Sequence, residues 1–182
     1  MYHTLIPAGL AVFAHLGVLE HALSLGAVVT GLEGRLANQQ LLVNSHYVQA
    51  EQGLYGLGIH RATLCHVLVN ALSTQNFPQK INWHMGVQIN SVQQQQGCCV
   101  VEGISNSQPF NTSFDLVIIA NGARSHLRPK EWVKLDKAYP WGAAWTIVPE
   151  CLSLDTQILH QFYDGANIMM GVLPTGAMPN AP

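Results

Sequence analysis

In DLVIIANGARSHLR, Asp115 to Arg128, an apolar run meets side chains able to hold an anion. Asn121 and Gly122 form a turn dipeptide, and Ala123, Arg124, Ser125 and Arg128 follow at once. Asn-Gly after an apolar run is the common signature of a two-residue hairpin. A hairpin needs a second strand of alternating pattern, and ARSHLRPKEWVK, with its cations, histidine and proline, makes a poor one. The stretch is therefore read as a buried strand ending at a tight turn, whose amides and arginines face a phosphate or a carboxylate. A solvated loop after a core strand fits the same residues.

A second anion-facing candidate is Arg61, in GLYGLGIHRATL. The glycines stand at 53, 56 and 58, giving GxxGxG, and no apolar strand precedes them, so the dinucleotide fingerprint GxGxxG is not met. A cation in the first turn of a helix opposes the helix dipole at a cost of about 0.3–1 kcal/mol unless an anion is near. A phosphate or ribose contact and an ordinary surface arginine are both open readings of Arg61. His60, Cys65 and His66 fall on different faces of a helix, with no carboxylate at metal-ligand spacing, so no metal site is expected. Cys98-Cys99 reads as strand core rather than a redox pair, and no GxSxG elbow or Ser-His-Asp order occurs.

The elements that must position these residues follow from periodicity. Leu10, Phe13, Leu16, Leu19 and Leu23 recur at helical intervals, predicting one helix from about Pro7 to Ser24 that Gly26 stops. GAVVTGLEGRLANQQLLVN predicts two short strands, GLYGLG a glycine-rich loop, and IHRATLCHVLVNAL a helix with Ile59, Leu64, Val67, Leu68 and Leu72 inward. INWHMGVQINSVQQQQGCCVVEGISNS predicts strand, strand, a polar tip at Gln93 to Gln96, and a further strand. AAWTIVPE, QILHQFYDG and NIMMGVLPTG predict β structure. Trp132, Tyr139, Trp141, Trp145, Phe162 and Tyr163 read as core, or as one wall of a pocket for a planar apolar ligand, with Met169, Met170 and Leu173 to Gly176 suited to the same wall. The class is mixed α/β (α+β), with no repeats.

Composition narrows the function classes. A net charge of −2 offers no basic field for nucleic acid. Charged residues make up only 10% against 48% hydrophobic, which points to a large ligand cavity or to faces that another segment covers. Four cysteines without a CxxC pair suit a reducing cytoplasm. His15, Glu20 and His21 interrupt the apolar N-terminus, so neither a signal peptide nor a membrane span is expected.

Set in order, these segments resemble the class A flavoprotein monooxygenases, the p-hydroxybenzoate hydroxylase-like and 2-polyprenyl-6-methoxyphenol hydroxylase-like family. GLGIHRATLCHVLVNAL is similar to that family's G-x-x-R-x-x-L-x-x-x-L helix, and DLVIIANGARSHLR to its fingerprint D-L-V-I-G-A-D-G-x-x-S-x-x-R. PAGLAVFAHLGVLEHALSLGAVVTGLEGR and WGAAWTIVPE…QFYDGANIMMGVLPTG resemble flanking parts of the same enzymes. The resemblance implies FAD as cofactor, NAD(P)H as co-substrate, and hydroxylation of an aromatic or polyprenyl-phenol substrate with O2. It implies a partial FAD/NAD(P)-binding Rossmann-like domain over 1–136, with 27–51 a hairpin excursion toward the substrate sheet, and the start of a substrate domain over 137–182. Arg61 would contact the FAD ribose and pyrophosphate region, the turn Asn121-Gly122 would lie against the pyrophosphate and the path of the nicotinamide cofactor, and Ala123 would belong to the same cofactor-binding stretch. Arg124, Ser125 and Arg128 would hold that turn, and Asp115 would start its strand.

The chain departs from the family pattern in three places. It has no GxGxxG before the resembling region and no C-terminal Gly-Asp motif, and Asn121 stands where the family has Asp. The expectation is an internal portion of such an enzyme, inactive alone. Two other classes fit the same residues: a non-catalytic α/β binding module completed by a partner chain, and a flavin-dependent reductase of the same superfamily.

Overall fold

The computed structural model describes residues 2–74, 81–138, 140–149 and 154–176, and divides the chain into two compact units, Met1–Asn76 with Ala144–Pro182 and Phe77–Ala143. The class is mixed α+β: three small sheets and three helices among the described residues. Tyr139 lies outside these residues.

The expected first helix is two. Helix α1 (Pro7–His15) begins with proline, whose missing N–H costs nothing at that position, and ends at Leu16. Gly17 has φ 70°, its N–H donates to Ala14 O at 3.0 Å, and the Val18 N–H donates to Phe13 O at 3.0 Å. That is a Schellman stop, completed by the buried pair Phe13 and Val18. Helix α2 (Leu19–Leu25) follows and ends at Gly26 as expected.

In the first unit, β1 (Tyr2–Leu5), β5 (Gly56–His60) and β2 (Ala27–Val29) form an antiparallel sheet in the order β1-β5-β2. Of the expected glycine-rich loop, Gly53 to Tyr55 are turn and loop, but Gly56 to Gly58 open the central strand, with Gly56 to Ile59 all buried. Glycine is disfavoured in strands because it packs nothing, yet here it admits close neighbours. A Cβ on Gly56 would sit 2.9 Å from the Tyr47 hydroxyl and 3.1 Å from Leu5 O. Strand β5 runs directly into α3 (Arg61–Thr74). Leu57, Ile59 and Val67 are fully buried and join Leu10, Phe13, Val18 and Ala22 in one core. The buried face of α3 carries Thr63 and Val67, flanked by Leu64, Leu68 and Ala71; Leu72 points outward at 40% exposure, against expectation.

The expected two strands after Gly26 are three: β2, β3 (Gly31–Leu36) and β4 (Leu41–His46). Only Thr30 separates β2 from β3, so one extended stretch serves two sheets. The second sheet has the order β10-β9-β3-β4, with β9 (Ile158–Asp164) and β10 (Ile168–Val172). Strand β3 pairs with β9 in parallel and with β4 antiparallel, so the hairpin of 31–46 shares a sheet with residues 158–172. AAWTIVPE does not become a strand over its described part, and Trp145, Ile147 and Val148 are exposed.

The second unit is an antiparallel meander of β6 (Val87–Gln95), β7 (Cys98–Ser105) and β8 (Gln108–Phe114). Gln93 to Gln95 belong to the ladder, and the tip shrinks to Gln96-Gly97. Asn106 and Ser107 have φ 48° and 66°, the pair of left-handed residues that a type I′ hairpin turn requires. That turn starts β8, which the sequence pattern did not announce; INWH, expected as a strand, is exposed and unpaired. Cys98 and Cys99 begin β7 half-buried with free thiols. Among the described residues no helix is long and apolar enough to cross a membrane.

Candidate functional site

The structure corrects the reading of Asp115–Arg128 as a buried strand. Residues 116–120 pair with no strand among the described residues; Leu116 and Ile118 are 74% and 80% exposed, and Asp115 is exposed as well. Alternating burial is what pins a strand to a core, and here only Val117 is half-buried, while Leu116 to Ile118 line no more than an open hollow of the same unit. A tight turn is present, but Ala123 and Arg124 are its central residues and not Asn121-Gly122. Gly122 has φ 85°, and the Ser125 N–H donates to Gly122 O at 3.1 Å. The Ser125 Oγ accepts the Leu127 N–H at 3.3 Å, and Arg128 Nη2 donates to Ala123 O at 3.5 Å. His126 Nε2 lies 3.1 Å from Ile89 O, which ties the loop to β6. Asn121, Gly122, Ala123 and Arg124 are exposed on the outer side of this self-bonded loop.

Arg61 belongs to the other unit, as the exposed first residue of α3. His60 precedes it, and its Nδ1 accepts the Ala62 N–H at 3.3 Å, satisfying one of the open amides of the helix start. The local structure therefore gathers Asn121 to Arg128 into one loop and places Arg61 at the end of a buried strand.

A polar row in the four-stranded sheet was not expected. On β3, Arg35 Nε donates to Glu33 Oε1 at 2.7 Å, while Nη1 donates to Gln39 O at 3.2 Å and closes the β3–β4 turn. This hydrogen bond holds the Glu33 carboxyl below the usual carboxylate range, against the upward push of burial, and Glu33 in turn raises the guanidinium. His160, the register partner of Glu33 across the parallel β3–β9 ladder, is buried. Its Nε2 sits 3.0 Å from the Asp155 carbonyl oxygen and so carries the proton, leaving Nδ1 3.9 Å from Glu33 Oε1. The signal was available: residues i and i+2 of a strand share a face, so Glu33 and Arg35 in LEGRL form a same-face pair. Beside the same hairpin, burial pushes the Tyr47 phenol above its ordinary value.

The second unit offers a hollow of about 350 Å³, open to solvent and lined by His84, Val87, Ile89, Val101, Phe110, Phe114 and Leu116 to Ile118. The His84 ring meets Phe110 edge-on at 5.7 Å. The aromatics expected as core or pocket wall are elsewhere: Trp132, Trp141 and Trp145 are exposed, and Phe162 and Tyr163 are half-buried in β9. Met169 and Met170 are exposed on the edge strand β10.

No protein-family model matches the sequence, and no curated protein sequence matches it. Solved structures do resemble the fold. One is p-nitrophenol 4-monooxygenase PnpA from Pseudomonas putida DLL-E4, at a TM-score of 0.53 and 15% identity over 60% of this chain. Another is the tetracycline destructase Tet(51), at a TM-score of 0.44 and 16% identity over 66% of this chain. The likeness to the first is one of fold, and the aligned region spans 28% of the length of either structure.

Proposed function

We propose that the chain forms part of an FAD-dependent monooxygenase that uses NAD(P)H and O2 on an aromatic or polyprenyl-phenol substrate. The observation that carries this is the fold likeness to a p-nitrophenol 4-monooxygenase, found for a chain whose helix at Arg61 and turn at Asn121-Gly122 resemble two motifs of that enzyme class. The Rossmann-like assignment of 1–136 rests on the same resemblance.

The donor chemistry present suits a pyrophosphate-bearing cofactor. Each unit carries such donors by itself: the first has the Arg61 guanidinium, and the second has Arg124 and Arg128 with the exposed backbone at Gly122, which a phosphate can approach. In this reading Arg61 contacts the ribose and pyrophosphate region. Asn121, Gly122, Ala123 and Arg124 lie along the pyrophosphate, and Ser125 and Arg128 keep the turn closed through bonds to Leu127, Gly122 and Ala123. FAD, if bound, would supply the redox chemistry by which NAD(P)H and O2 give one oxygen atom to the substrate and the other to water, while the protein would orient and shield. The sheet of β3, β4, β9 and β10 supplies the substrate side, where Glu33, Arg35 and His160 offer polar contacts among apolar strands.

The exposure of Leu116 and Ile118 favours a second reading, a non-catalytic module whose strand at 116–120 pairs with a partner chain. Titrating the purified chain with FAD and following flavin fluorescence separates the two. Micromolar binding that weakens about tenfold in Arg61→Ala, the scale of one charge-assisted hydrogen bond, is the expected result. Absence of binding at millimolar FAD would sink the cofactor reading and leave the module.

A further inference from the structure

Leu173–Gly176, the residues after β10, cross the three-stranded sheet at β5, and three glycines make the crossing possible. A Cβ on Gly58 would overlap the carbonyl oxygen of Pro174 and approach Leu173 Cδ1 to 3.3 Å. Gly176 has φ 74°, and its added Cβ would lie 2.6 Å from the Gly26 carbonyl carbon and 2.7 Å from Leu25 O. Gly26 is itself pressed on β5: its added Cβ would lie 2.6 Å from Leu57 Cδ1 and 2.9 Å from Gly58 O. At Gly58 clearance alone calls for glycine, since that residue's φ lies outside the left-handed region. The segment is thus a strap laid against a buried strand, backbone on backbone.

What the strap joins gives it a role. Its N-terminal end continues β10, the strand paired to β9 in the four-stranded sheet. Beneath it, β5 runs on from Gly58 through His60, whose ring caps α3, to Arg61. We infer that the strap is a positioning element that couples the β9–β10 sheet to the start of α3, so that displacement of the sheet is felt at Arg61. This rests on the proposed function only in taking FAD as the ligand of Arg61; the mechanical coupling stands on the crossing itself.

The test uses the full chain in two arms. In the first, amide hydrogen exchange is compared between the native chain, Gly58→Ala and Leu173→Ala. Gly58→Ala forces the strap off β5, and Leu173→Ala thins it without inserting anything, so it serves if the first variant does not fold. The expected result is about tenfold faster exchange over 59–64, with β3–β4 and the β6–β8 meander unchanged. Faster exchange confined to the strap, or spread evenly over the first unit, overturns the coupling. In the second arm FAD is titrated by fluorescence: with an unchanged melting temperature, Leu173→Ala weakens binding about as much as it loosens 59–64, to about tenfold. An unchanged dissociation constant in the loosened variant overturns the positioning of Arg61. If the native chain binds no FAD, the cofactor reading fails while the exchange arm still decides the strap.

Discussion

The Glu33 carboxylate takes the Arg35 Nε–H at 2.7 Å, and that bond outweighs burial in setting its titration. A carboxyl held low in the folded state contributes stability that is present above the carboxylate range of the unfolded chain. That contribution is lost as the pH falls through the folded value. Glu33→Gln should therefore lower stability slightly at pH 7, on the scale of a partly exposed ion pair, and leave it unchanged at about pH 2–3. Urea unfolding of both proteins at the two pH values checks this; a gap that persists in acid would show that the pair contributes through shape and not charge. Residue types alone could have paired Glu33 with Arg35, but not His160, because the parallel β3–β9 ladder joins positions 127 apart, from Glu33 to His160. The helix start at Arg61 and a turn after the apolar run were legible because both are local signals, although the turn is centred on Ala123 and Arg124 and not on Asn-Gly.

At the scale of elements, glycine decided where the reading of the sequence failed. Gly17 and Gly26 are alike in the sequence, yet Gly17 takes the left-handed position that stops α1, while Gly26 closes α2 with extended backbone. GLYGLG reads as a loop because glycine weakens strands; Gly53 to Tyr55 are loop, but Gly56 to Gly58 enter the central strand, where backbone and a tyrosine hydroxyl come close to Gly56. Such tertiary crowding leaves no local pattern. Helix α3 was legible as a helix, and Leu64, Val67 and Leu68 face the core as expected, but Thr63 is also inside and Leu72 is out. Val67→Ala should cost about 1–3 kcal/mol through lost burial and a residual cavity. Leu72→Ala should stay within about 0.5 kcal/mol, as for an exposed site. Equal losses in chemical denaturation would return Leu72 to the core.

For the molecule as a whole, the low charged fraction and the apolar surface are one fact seen twice. Only 10% of residues are charged, and Leu116, Ile118, Trp132 and Trp141 are each at least 65% exposed. Large apolar side chains exposed in this number are unusual where the charged fraction is so low. The sequence pattern placed Leu116 to Ala120 in a core because an apolar run is the mark of a buried strand, and periodicity cannot tell a buried run from one waiting to be covered. The double substitution Leu116→Ser with Ile118→Ser separates these cases. At exposed positions it should change unfolding free energy by no more than about 1 kcal/mol, since surface substitutions stay within about 0.5 kcal/mol each. It should also lower the fluorescence of the hydrophobic dye ANS bound to the native chain. Were the run buried, removing two large aliphatic side chains would cost about 4–10 kcal/mol, enough to unfold a domain of ordinary stability. Retained folding with reduced dye binding therefore identifies 116–120 as an exposed apolar segment, and the same variant then reports whether FAD binding depends on that segment or only on the turn that follows it.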